Sequence, residues 1–278
     1  MPAEHQLPLI IQPDELKAAL SAESTVPLRL IDVRNQEAYR AGHIGGAVHF
    51  DVADVNACRP PVAGLLPTVE QFNRGMSAIG LSPEHHAVIY DDNGGPPAAR
   101  LAWTLKAFGH KAVSMLDGGM QAWQAADLPL TGGTVPLTPG HYRGRLNPDV
   151  ISDREYILKH LTDNKILPLD ARSPAEYRGE NRRSQRGGHI PGAISLDWTL
   201  TKDPNRNMRF RSQQELEELL AARGVDRDRE IVCYCQSHQR SALLCILLES
   251  LGYKHVKGYP GAWSDWGNQP DTPIETGE

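Results

Sequence analysis

The chain has 278 residues, 40% hydrophobic and 23% charged, with a formal net charge of -5. That length accommodates two domains with ample cores, and the mildly acidic balance gives no reason to expect a nucleic acid or an anionic membrane surface as partner. No apolar run is long enough to span a bilayer, and Met1 to Gln6 lacks the basic-then-apolar pattern of a secretory leader, so a cytoplasmic protein is expected.

In chain order, short β-branched runs predict strands near residues 9–11, 28–32, 47–49, 87–90 and 112–116, separated by helical segments. Residues 128–148 are rich in Pro, Gly and Thr with no apolar period, and read as a linker. Beyond them, strands are predicted near 167–170, 193–196, 230–234 and 255–257. Ser152-x-x-Glu155, Ser173-Pro174-x-Glu176 and Ser212-x-x-Glu215 each fit a capping box, which marks three helix starts. Strands alternating with helices imply the α/β class, here two tandem domains, each a parallel sheet flanked by helices. The expected division is 1–128, a linker over 129–148, and 149–278.

The two halves repeat one another. Leu30-Ile31-Asp32-Val33-Arg34, Glu37-Ala38-Tyr39-Arg40 and Gly42-His43-Ile44-Gly45-Gly46-Ala47 recur as Pro168-Leu169-Asp170-Ala171-Arg172, Ala175-Glu176-Tyr177-Arg178 and Gly188-His189-Ile190-Pro191-Gly192-Ala193. The second copy carries an extra polar insert, roughly 180–186. Val88-Ile89-Tyr90-Asp91 answers Val232-Cys233-Tyr234-Cys235, and Asp117-Gly118-Gly119-Met120 answers Pro260-Gly261-Ala262-Trp263. Asp32, Arg34, Asp170 and Arg172 read as structural ion pairs, and His43 and His189, placed identically in both halves, as packing residues.

The chemistry is expected in Cys235-Gln236-Ser237-His238-Gln239-Arg240-Ser241, between a buried strand and a Leu-rich helix. Ligands of such sheets collect beyond the carboxyl ends of the strands, and a helix that begins there aims free N–H groups at the loop. Its N-terminus and Arg240 should favour the thiolate of Cys235. Every residue from Gln236 to Ser241 has an N–H to offer a bound anion. In the first half Asp91 stands where the nucleophile should be, and Pro96 and Pro97 lack N–H groups, which should spoil the cradle. Cys233 and Cys245 read as buried packing residues. The spacing of the four cysteines, Cys58 included, suggests neither a disulfide framework nor a zinc site, and neither metal nor cofactor is required.

Together these motifs resemble the rhodanese sulfurtransferases in their tandem-domain form, and the loop is similar to that of certain bacterial thiosulfate:cyanide sulfurtransferases. The resemblance implies an inactive first domain and a second whose Cys235 takes up sulfane sulfur as a persulfide and passes it to a thiophilic acceptor, cyanide or a thiol. Thiosulfate is the expected donor, with Arg240, the loop residues and Trp198 as candidate binding residues. A 3-mercaptopyruvate sulfurtransferase is the alternative; it would need cations for the keto-acid carboxylate, and Arg178, Arg182, Arg183 and Arg186 are the nearby candidates. Rhodanese-like phosphatases carry a Cys-x5-Arg loop, one residue longer than Cys235-x4-Arg240. Phosphatase or arsenate reductase activity, or a non-catalytic sulfur-binding module, are therefore the readings of other classes. Many tandem members have an anion-binding Arg where this chain has Glu176, read here as the acceptor of a capping box with no role toward the donor. A monomer is expected.

Overall fold

The computed structural model describes residues 7–22, 26–163 and 165–277. Met1 to Gln6, which carries the expectation about a leader, lies outside them. Among the described residues no helix is long and apolar enough to cross a membrane. The chain forms two compact units, and the division does not follow the sequence strictly. One unit comprises Met1–Val55, Pro67–Asn147 and Asp203–Phe210; the other comprises Asn56–Leu66, Pro148–Lys202 and Arg211–Glu278.

In the first unit, strands β1 (Ile10–Ile11), β2 (Leu28–Asp32) and β3 (Val48–His49) are followed by a hairpin, β4 (Ala57–Arg59) and β5 (Val62–Leu65), that packs with the second unit. Then come β6 (His86–Tyr90) and β7 (Val113–Leu116). The sheet order is β1-β7-β6-β2-β3, parallel throughout. Every residue of β6 is buried, as a central strand covered on both faces requires. Helices α1 (Pro13–Ser21), α2 (Gln36–Ala41), α3 (Val69–Ala78), α4 (Pro96–Ala107) and α5 (Gly119–Ala125) supply the cover. Ile11, Leu30, Ile44, Val88, Tyr90, Leu116 and Trp123 meet in one core. The linker of the sequence reading is no loose tether, since Gly140 N–H donates to Ser77 O (2.7 Å) and Tyr142 N–H to Ser77 Oγ (3.0 Å).

The second unit repeats the plan with β8 (Ile166–Asp170), β9 (Ile194–Ser195), and, after the short strands β10 (Lys202–Asp203) and β11 (Arg209–Phe210), β12 (Glu230–Tyr234) and β13 (Val256–Gly258). Its parallel sheet is ordered β13-β12-β8-β9. Helices α6 (Arg154–His160), α7 (Pro174–Tyr177), α8 (Gln213–Ala222), α9 (Arg240–Ser250) and α10 (Ala262–Trp266) pack around it. The expected capping boxes form at Ser173 and Ser212. At α6 the cap is Asp153 rather than Ser152, and its carboxylate accepts from Tyr156 N–H at 2.7 Å. A carboxylate serves that position as well as a hydroxyl and adds a charge favourable to the helix dipole.

The repeated motifs do the same structural work twice. Arg34 closes on Asp32 (2.7 Å) and reaches Gly42 O (2.6 Å), while Arg172 closes on Asp170 (2.6 Å) and reaches Gly188 O (2.7 Å). His43 stacks on Tyr39 with ring centroids 4.2 Å apart, and His189 on Tyr177 at 3.6 Å. Tyr90 accepts from Ile44 N–H, and Tyr234 from Ile190 N–H, both at 3.1 Å. Paired in the same way in both halves, these groups hold the two sheets' carboxyl ends in shape.

Candidate active site

Strand β12 lies between β8 and β13 and delivers Cys235 at its carboxyl end, with Tyr234 registered beside Asp170. The backbone then turns through a short loop into α9, whose N-cap is Gln239. His238 adopts φ +57°, the left-handed conformation that lets successive amides of a loop face one point. Two bonds tie the loop to the first turn of α10: Trp263 N–H donates to Cys235 O and Ser264 N–H to Gln236 O, both at 2.9 Å. The β4–β5 hairpin also lies against the loop and α10. A Cβ added to Gly64 would come 2.2 Å from Ser237 O, and Ala63 N–H donates to Ser264 Oγ at 2.9 Å.

Cys235 is 1% exposed. Burial raises the pKa of its thiol, but the charge of Arg240, the hydroxyl and amide of Ser241 and the amide of Ser237 outweigh it, and the thiol ends below its ordinary value. The site therefore shifts the balance toward a buried thiolate, with fixed donors in place of water. Cys245 shows the opposite outcome. It is buried in α9 with its thiol turned to Lys257 O (3.8 Å), and burial and neighbouring Cys233 push it well up.

Arg240 is held by a partner that the sequence reading did not assign to it. Its guanidinium grips Glu176 through both nitrogens, Nη1 to Oε2 at 2.7 Å and Nη2 to Oε1 at 3.0 Å. Glu176 also accepts from Ser173 N–H (3.1 Å), so the capping box stands and the same carboxylate serves two ends. Burial raises the Glu176 pKa, yet the hydrogen bonds and charge of Arg240, aided by Ser173, bring it down to about 2. Arg240 is in turn raised: burial opposes its charge, and Glu176 and Cys235 more than restore it. Arg183 joins the pair from the insert, its Nε 3.4 Å from Glu176 Oε1 and its side chain 56% exposed.

The remaining candidates are placed as follows. Gln236 turns its side-chain amide to Ser184 Oγ (3.2 Å) and Arg183 O (3.3 Å), pinning the loop to the insert. Ser237 and Ser241 are the hydrogen-bonding groups that help keep the Cys235 thiol below its ordinary value. His238 is fully buried with Nδ1 2.8 Å from Ser241 Oγ. Gln239 caps α9 without a side-chain bond. Trp198 is half-buried in the turn Trp198–Thr201 on the flank of α9, and is not among the groups that hydrogen-bond Cys235. Of the four arginines around the insert, Arg178 pairs with Glu180 (2.7 Å) and Arg186 is taken up by Thr272 O (2.9 Å) and Trp266 O (3.4 Å). Arg182 is exposed, and Arg183 alone among the four has an ion pair with Glu176 among those described.

In the first half the equivalent loop is occupied by its own side chain. The Asp91 carboxylate accepts from Asn93 N–H (3.0 Å), Gly95 N–H (3.0 Å) and Ala98 N–H (2.9 Å). The expectation that Pro96 and Pro97 spoil the cradle is thus corrected: they remove two donors, and the others converge all the same on Asp91 itself.

Residues 12–126 and 153–269 each match the Rhodanese-like domain. The chain belongs to the rhodanese family. Thiosulfate sulfurtransferase of Azotobacter vinelandii is 41% identical over 97% of both chains, and that of Pseudomonas aeruginosa is 38% identical over 97% of both. The 3-mercaptopyruvate sulfurtransferase of Escherichia coli K12 is 35% identical over 85% of this chain and 84% of its own. The crystal structure of SseA from Escherichia coli superposes with a TM-score of 0.81 at 31% identity, covering 92% of this chain and 99% of that one. Of the two rhodanese domains here, both keep the sheet and the Asp-x-Arg and His-Tyr supports, and the second keeps the thiol.

Proposed function

We propose that this rhodanese moves sulfane sulfur from thiosulfate to a thiophilic acceptor through a persulfide on Cys235. The observation that carries the reading is a sulfur held by the Ser237 amide, the Ser241 amide and hydroxyl, and the charge of Arg240. The Cys235 thiolate attacks the outer sulfur of thiosulfate; the S–S bond of the donor breaks, sulfite leaves with the electron pair, and the negative charge passes to the new persulfide. An acceptor such as cyanide then takes the outer sulfur as thiocyanate and restores the thiolate. Both steps balance without an external oxidant, and covalent capture makes the kinetics ping-pong. The converging donors suit the persulfide anion as they suit the thiolate.

Thiosulfate is favoured over 3-mercaptopyruvate because three of the four arginines in or beside the insert are already engaged, Arg178 with Glu180, Arg183 with Glu176 and Arg186 with backbone carbonyls. Glu176 stands against a second carboxylate. Because the loop backbone is the shorter Cys-x4-Arg form and its donors already close on sulfur, phosphoryl chemistry has less support. The four cysteines are free, as suits a reducing compartment, and we place the protein in the cytoplasm as a monomer that already joins two like domains. The test is direct: protein incubated with thiosulfate gains the mass of one sulfur atom, loses it to cyanide, and Cys235→Ser never gains it. Retained transfer in that variant overturns the reading. Parallel rates with thiosulfate and 3-mercaptopyruvate decide the donor, and a large preference for the latter reverses the assignment.

A further inference from the structure

We propose that His238 is a positioning residue that holds the Ser241 hydroxyl with its proton turned to the sulfur of Cys235. The proposal rests on the persulfide reading above and adds to it a part of the loop that acts only through another side chain. Ser241 Oγ carries a single proton and lies 2.8 Å from His238 Nδ1. That hydroxyl, like the Ser241 amide, is also a hydrogen-bond partner of Cys235. One proton cannot serve both neighbours. With the thiolate as acceptor, the hydroxyl donates to sulfur, its oxygen must accept, and His238 must present Nδ1–H. The imidazole is therefore fixed in the Nδ1-protonated tautomer for as long as Cys235 is charged. If the sulfur is protonated, the chain of bonds has to reverse or break, which adds to the cost of the neutral thiol.

The setting supports this use. His238 is wholly buried in a loop where an apolar side chain would fill the same volume without the cost of burying a polar ring. It also sits at φ +57°, and that backbone conformation sends the side chain back toward Ser241, three residues on. The charge acting on the sulfur is that of Arg240 on α9, and Arg240 in turn faces Glu176 on α7 and Asp170 at the end of β8. Arg240 and Glu176 are bonded to each other, and Asp170 is closed by Arg172. Both ion pairs are made between other side chains, so His238→Ala leaves them in place.

The experiment follows the pH dependence of Cys235 alkylation by iodoacetamide in full-length protein, using Cys58→Ser, Cys233→Ala and Cys245→Ala as a common background. Ser241→Ala and His238→Ala should each raise the midpoint by about one pH unit, the size expected for one hydrogen bond to a charged group. The double variant should rise no further than either single one. His238→Asn, whose amide occupies the Nδ1 position and whose type tolerates left-handed backbone, should stay near the parent. His238→Gln, which carries its amide one bond farther out, supplies the same loss should the alanine variant not fold. An unchanged midpoint in the His238 loss variant, additive shifts in the double variant, or an Asn variant as impaired as the loss variant would each overturn the proposal. Thiosulfate loading of the parent is measured alongside: if no sulfur is gained there, the transfer reading fails while the alkylation result still decides the role of His238.

Discussion

The loops that follow Tyr90 and Tyr234 start from one plan and reach two ends. In both, a buried strand ends, a short turn gathers backbone N–H groups, and a helix begins. After Tyr90 the donors of Asn93, Gly95 and Ala98 close on a carboxylate that is part of the loop, so the anion site is permanently filled. After Tyr234 the donors of Ser237 and Ser241 close on a sulfur that can be charged, extended by one atom and discharged again. Pro96 and Pro97 fall five and six positions beyond Asp91, where the second loop has Arg240 and Ser241 beyond Cys235. Two substitutions therefore remove the cation, the hydroxyl and two amides together. The lesson is that an anion cradle does not itself make an active site; its occupant decides.

The largest expected effect comes from making the second loop like the first. Cys235→Asp should fold, because the carboxylate can take over the Ser237 and Ser241 donors, and should form no persulfide and no thiocyanate; mass spectrometry and a thermal melt check both halves of that statement. Arg240→Ala should weaken the fold by about 3 kcal/mol as well as slow thiosulfate use, since it strands Glu176 as a buried charge. Denaturant titration measures this, and recovery of most of the loss in Arg240→Ala with Glu176→Gln would confirm the cause. Asp91→Ala should cost about 2 kcal/mol of stability by freeing three amides, while leaving the thiocyanate rate within about twofold of the parent. A large rate loss there would show that the first loop does more than hold its own helix.

Smaller effects sharpen the electrostatics. Glu176→Gln keeps the capping box and a bond to Arg240 but removes a negative charge, so the KM for thiosulfate should fall severalfold with little change in kcat. The same pair carries a pH signature. The folded value of Glu176 lies below its ordinary 4.5, so its contribution is whole above about 4.5 and is lost as the pH falls toward about 2. Denaturation at about pH 6 and about pH 3 should accordingly show the parent losing more stability than the Glu176→Gln variant. Smallest of all, Arg183→Ala should raise the KM for thiosulfate by about twofold at low salt and not at high salt, as befits a half-exposed cation.

Much of this was legible in the amino-acid order because local signals and duplication pointed the same way. The strand ending at Asp32 and the one ending at Asp170 are flagged by the same apolar run and the same Asp-x-Arg, and β12 by Ile231-Val232-Cys233 before a Leu-rich helix. The hairpin Ala57–Arg59 and Val62–Leu65 escaped notice because Pro60-Pro61 at its turn reads as a break, and its strands are too short for alternation to show. The Glu176–Arg240 pair was missed for another reason: sixty-four residues separate the partners, and the capping box already accounted for the carboxylate. Likewise Asp91 was read for the nucleophile it lacks, because no pattern along a chain says that a side chain will curl back onto the amides of its own loop. The spacing Ser152-x-x-Glu155 points to Ser152 as a cap, yet one residue on Asp153 is an equally good acceptor and takes the place.

The hairpin of residues 57–65 comes from the first repeat yet beds against the nucleophile's loop, and Asp203–Phe210 comes from the second repeat yet belongs with the first. Each repeat has thus lent a strap to its twin. Cutting the polypeptide between Asn147 and Pro148 would yield two fragments, each missing a buttress and each carrying a stranded one. A descendant that tried to discard the silent repeat would lose a wall of its working site in the same deletion, which gives the half with Asp91 in place of the nucleophile a reason to persist.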